Sequence, residues 1–97
     1  MKLDFRAINC AAIQALPVLI RRWLPDGRQH GREYVARNPT RNDRRAGSFS
    51  INISTGVWAD FASGERGGDV VSLYAYLRNI RQGAAARELA SILRIHT

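Results

Sequence analysis

The chain has one cysteine, one lysine, two histidines and three prolines in 97 residues. It also lacks any apolar run near the ~18 residues that suggest a membrane span. The single cysteine, Cys10, excludes an internal disulfide and any metal centre built on several thiolates. It lies in an apolar run and is expected to pack as a small hydrophobe. Lys2 and Arg6 begin the chain, but Asp4, Asn9 and Gln14 interrupt what would be the apolar centre of a signal peptide. A cytoplasmic location with no membrane partner is therefore expected. Of the histidines, His30 falls in a polar turn and His96 near the C-terminus, neither beside a nucleophile. The eight acidic residues form no spaced pair on one element that suggests metal-dependent phosphoryl transfer. No catalytic residue and no cofactor are expected.

Arginine is what the chain has in abundance. Fourteen of its fifteen basic residues are arginine, the net charge is +7 and the pI is near 11.0. Such a surface suits a polyanionic partner, nucleic acid first, although codon bias also enriches arginine. A hydrophobic content of 45% is that of a globular chain, and the length suits one domain, residues 1–97, with a modest core.

Helical spacing runs from Ile8 to Leu24, with Ile8, Ala11, Ala12, Ala15 and Leu16 at three- and four-residue steps. Pro17 removes a helical hydrogen bond, so two helices are expected. The first ends near Ala15, and the second has Pro17 in its first turn and Val18, Leu19, Trp23 and Leu24 on its buried face. A strand near 32–37 stops at Asn38-Pro39. Ser54-Thr55-Gly56 suits a three-residue hairpin loop, which pairs Ile53 with Val57, Ile51 with Ala59 and Phe49 with Phe61. Those six side chains then share one face, with Ser48, Ser50, Asn52, Trp58 and Asp60 on the other. Asp69 is a good N-cap for a helix carrying Val70, Leu73, Tyr74 and Leu77. Gln82-Gly83 should end that stripe before a second one, Ala86, Leu89, Ala90 and Leu93. The class is α+β: a small antiparallel sheet, made of hairpin 48–61 and the strand near 32–37, flanked by N-terminal helices and a C-terminal helical pair.

The glycines of Gly64-Glu65-Arg66-Gly67-Gly68-Asp69 lead into a helix, as phosphate-binding loops do. The lysine followed by serine or threonine of a nucleotide loop is missing, however, and Asp69 competes for the same donors, which favours a tight turn and a capped helix. The densest basic cluster is Arg37, Arg41, Arg44 and Arg45. With Trp58 on the polar hairpin face and Arg66 at a loop tip, it offers charge for a backbone and a ring for a base. If helices cover that face, Trp58 is core instead. If the loop is merely solvated, Asp43 and Asp60 partly neutralise its arginines.

Four segments carry a resemblance: Asn38-Pro39-Thr40-Arg41, Gly47-Ser48-Phe49-Ser50-Ile51-Asn52, Trp58-Ala59-Asp60-Phe61-Ala62-Ser63-Gly64 and Gly68-Asp69-Val70-Val71. Together they resemble the zinc-ribbon domain of bacterial-type DNA primases and of phage and plasmid primase-helicase proteins, over roughly Glu33 to Leu77. In that family a Cys/His pair precedes the first strand of the hairpin and a Cys pair follows the hairpin. Those ligand positions fall here on Asn38, Arg41, Asp60 and Ser63, of which only Asp60 is a zinc-ligand type. The resemblance implies a metal-free form, in which Arg41 would pair with Asp60 while Asn38 and Ser63 add hydrogen bonds. It also implies a non-catalytic module that binds single-stranded DNA in replication or priming of a mobile element, beside other replication proteins. Arg37, Arg41, Arg44, Arg45 and Arg66 would contact phosphates, and Arg41 contributes less if Asp60 holds it. The alternative is a protein-interaction or structural domain that kept the fold after losing zinc.

Overall fold

A computed structural model describes residues 4–40 and 48–94. Its first element, α1 (Phe5–Trp23), starts where the Asp4 carboxylate accepts the Ala7 N–H at 3.0 Å. The helix runs unbroken through Pro17, against the expected split. Its buried residues, Ile8, Ala12, Leu16, Leu19 and Ile20, form one stripe that continues across the proline. An internal proline costs about 3 kcal/mol. Burying each large aliphatic side chain contributes roughly 1.5–3 kcal/mol, so keeping Leu16, Leu19 and Ile20 in register outweighs the lost bond. Pro17 lies on the exposed side, as do Val18, assigned above to the buried face, and Cys10, which is not a core residue.

Five strands follow in an antiparallel meander: β1 (Arg28–His30), β2 (Glu33–Ala36), β3 (Phe49–Asn52), β4 (Trp58–Asp60) and β5 (Arg66–Gly67). The two edge strands, β1 and β5, were not anticipated: β1 is wholly exposed and β5 has two residues, so neither carries an apolar alternation. The hairpin register is one residue away from the expected one: Phe49 faces Asp60, Ser50 faces Ala59 and Ile51 faces Trp58. Asn52 sets this register. Its side-chain oxygen accepts the Ser54 and Thr55 N–H groups, and its backbone N–H donates to Val57. Residues 53–56 therefore make a four-residue loop that Gly56, at φ +81°, closes onto the Asn52 carbonyl. A one-residue slip exchanges the two faces of a strand. Trp58 and Asp60 are consequently buried, while Val57 and Phe61 are exposed.

Two helices complete the α+β fold, α2 (Val70–Arg78) and α3 (Gln82–Ile92). Asp69 caps α2 in a reciprocal capping box with Ser72. The break between the helices falls at 79–81, earlier than Gln82-Gly83, because Asn79 takes the left-handed conformation that ends α2. α1 packs against α2 and α3, and Asn9 fixes α2 by accepting the Val71 N–H at 2.9 Å. Tyr34, Ala36, Phe49, Ile51 and Trp58 join this helical layer in one core. Among the described residues, the helices cover only that face of the sheet.

Candidate nucleic-acid interface

Asn38 and Asp60, two of the positions aligned above with zinc-ribbon ligands, meet where the end of β2 approaches β4 and α2. Asn38, fully buried, donates through Nδ2 to Asp60 Oδ2 at 2.6 Å and to the Tyr76 hydroxyl at 2.7 Å. Its Oδ1 accepts the N–H and hydroxyl of Thr40. Asp60, also fully buried, receives the Ala62 and Ser63 N–H groups on Oδ1. The expected cross-link through Asn38 is present. Ser63 joins through its backbone N–H, while its hydroxyl accepts the Glu65 N–H. Arg41, with its expected pairing to Asp60, lies outside the described residues, as do Arg44 and Arg45.

These side chains do not fit a zinc ion. Tetrahedral ligands about 2.0–2.2 Å from zinc stand well over 3 Å from one another, whereas Asn38 and Asp60 are in direct hydrogen-bond contact. Among the described residues, no three histidine, cysteine, aspartate or glutamate side chains gather into a metal-holding group.

Trp58 is 4% exposed. Its ring stacks on Tyr76 at 4.6 Å and meets Phe49 edge-on at 5.9 Å, while its indole N–H donates to Ser72 Oγ at 3.0 Å. The expected base-stacking role for Trp58 is therefore corrected: α2 already occupies its stacking face. Gly67 allows this packing, since a Cβ there would stand 2.4 Å from both Trp58 Nε1 and Ser72 Oγ.

The uncovered face has a different aromatic. Phe61, one residue past β4, is 75% exposed. With Val57, Ala59 and Ser50 it lines a shallow depression of about 380 Å³. One cross-strand row runs Arg28, Val35, Ser50, Ala59, Arg66 through all five strands, placing an arginine at each edge of this face. Four strand spacings separate those arginines, about 19 Å. Arg37 is exposed beyond the end of β2, with Nε 3.6 Å from Asp26. Glu33 also lies on this face, and it accepts the Ser50 hydroxyl. The sheet thus brings Arg66 onto one surface with Phe61 and Arg28, which sequence reasoning missed. The missing signal was the Asn52 turn, which decides which aromatic is outside.

The Gly64–Asp69 segment is β5 followed by the capped start of α2, and the Asp69 carboxylate takes the Ser72 N–H at 2.8 Å. Among the described residues no helix is long and apolar enough to cross a membrane. Comparison with protein-family models, curated proteins and solved structures returned no match.

Proposed function

We propose that this domain is a non-catalytic module that binds single-stranded nucleic acid, DNA in the first instance, on the open face of its sheet. The observation that carries this reading is the row of the uncovered face, with arginines at both edges and a 75%-exposed Phe61 on the same face, two residues along the chain from Ala59. Bases of any identity stack on an exposed ring, and guanidinium groups follow the phosphates, so such a face binds single strands with little sequence preference. Flipped-out or unpaired bases reach a ring on a sheet, whereas the stacked bases of a duplex do not. The net charge of +7 adds long-range attraction to the same partner.

The motif resemblance extends the proposal to template binding in a cytoplasmic replication or priming system, in a primase-type ribbon whose ligand positions carry a hydrogen-bonded cluster. A protein-docking role is the competing reading, because Phe61 and Val57 also form an apolar patch.

Titration of labelled single-stranded DNA separates the two. With Arg28, Arg66 and Arg37 on phosphates, the expected slope of log K against log salt is about −2, so affinity falls roughly twenty-fold between about 50 and 200 mM salt. Phe61→Ala is expected to weaken binding roughly 5- to 150-fold, at ~1–3 kcal/mol per stacked base, with the melting temperature unchanged. Absence of binding at low salt, or full affinity in Phe61→Ala, refutes the proposal.

A further inference from the structure

Beside the open face, at the β5 edge, lies a groove of about 940 Å³ between β5 and the turn joining α2 to α3. That volume is at the upper end of the ~300–1,000 Å³ typical of small-ligand sites. Tyr76, Leu77 and Ile80 contribute to its lining, together with Arg66 of β5 and Arg81 at the start of α3. Among the described residues, Glu65 is the one acid in the lining.

Two features connect the groove to the sheet face. Arg66 belongs to both: it ends the cross-strand row on the open face and also lines the groove. The crest between them is low, since β5 is two residues long, Gly67 and Gly68 bear no side chains, and Gly68 has nothing within 4 Å of where a Cβ would stand.

We infer that a single strand lying on the sheet face passes over β5 and enters this groove, where Arg66 and Arg81 take its phosphates and the Tyr76, Leu77 and Ile80 side chains receive a base. This inference rests on the sheet-face reading and adds a path and a length to it. The sheet alone, about 19 Å across, suits roughly four nucleotides. With the groove, the footprint becomes longer. Two cations beside the Tyr76, Leu77 and Ile80 side chains also match the alternation of phosphate and base along a single strand.

The test is a length series in two backgrounds. Labelled oligothymidylates of about four and about eight nucleotides are titrated against the full chain and against Arg81→Ser. Arg81 is the N-cap residue of α3 and makes no side-chain cap bond. Serine there is a preferred cap, so this variant is expected to fold at least as well as the parent, which circular dichroism checks. In the parent, the longer oligomer is expected to bind about ten-fold more tightly than the shorter. In Arg81→Ser, the longer oligomer should lose about five-fold in affinity and about 0.7 from its salt slope, with the shorter oligomer unaffected. An unchanged length effect in Arg81→Ser overturns the groove path while leaving the sheet face as the binding surface. Failure of the parent to bind either oligomer overturns the sheet-face reading and the path with it.

Discussion

Replacing Asn38 with alanine removes two donated hydrogen bonds, to Asp60 and Tyr76, and the acceptor for Thr40, all at a position with 1% of its surface exposed. The bond to the Asp60 carboxylate is charge-assisted and contributes about 2 kcal/mol, and the bond to Tyr76 about 1 kcal/mol. The Thr40 groups reach solvent and are re-satisfied there. With a small term for the cavity, the expected loss is about 3–4 kcal/mol. A domain of this size has roughly 5–15 kcal/mol in total, so the variant folds but melts about 12–25 °C lower. Urea unfolding followed by far-ultraviolet circular dichroism measures this directly. A loss below about 1 kcal/mol would show that the Asn38 cluster does not clamp the end of β2 to β4 and α2. Asn38→Asp, which has the same shape, sharpens the test. It sets a second carboxylate against Asp60, and the pair then holds a proton more tightly folded than unfolded. A raised folded pKa confers stability that is complete below the unfolded value, near 4, and is lost as pH rises through the folded value. Asn38→Asp is therefore expected to regain stability on acidification, and Asn38→Ala is not.

Gly67→Ala introduces a Cβ that would stand 2.4 Å from Trp58 Nε1 and Ser72 Oγ. It is expected to cost about 2 kcal/mol and to shift tryptophan emission, and an unperturbed emission spectrum would refute the close packing of β5 on Trp58. Tyr74 has its pKa raised by burial and by its hydrogen bond to Glu88, at 2.8 Å. The neutral phenol is thus favoured in the fold: its stabilisation is complete below about pH 10 and is lost as pH rises through the higher folded value. Tyr74→Phe should flatten the alkaline fall in stability, and an identical pH profile in the two proteins would count against this account.

The helices were legible in the sequence because their signals are local and redundant. The stripe from Ile8 to Ile20 and the Asp69 cap ahead of Val70 each identify an element without reference to the rest of the chain. Pro17 points the other way, because the local rule about one hydrogen bond takes no account of the aliphatic side chains that continuity buries. The edge strands were illegible for a related reason. β1 and β5 exist because β2 and β4 offer them hydrogen bonds, and Arg-Gln-His and Arg-Gly carry no apolar pattern of their own. Half of the candidate site was visible as charge and motif, with Arg66, Asn38 and Asp60 all named from the sequence. Its aromatic was misassigned.

That misassignment has one cause, and it links the site's two halves. On apolar area alone the expected register is the better one, since it buries Phe61 and Val57 rather than Trp58 and Asp60. The observed register wins through specific polar partners: Asn52 for the turn, Ser72 for the indole N–H, and Asn38 with the Ala62 and Ser63 N–H groups for the carboxylate. Burial of Asp60 beside Asn38 and exposure of Phe61 beside Arg66 are therefore a single structural choice, because adjacent residues of a strand point to opposite faces. A hairpin that slipped by one residue would lose the Asn38 cluster and the exposed ring together. It follows that the Asn38–Asp60 cluster does more than tie loops to a sheet. By holding Asp60 inward it keeps Phe61 outward, on the face where the arginines lie.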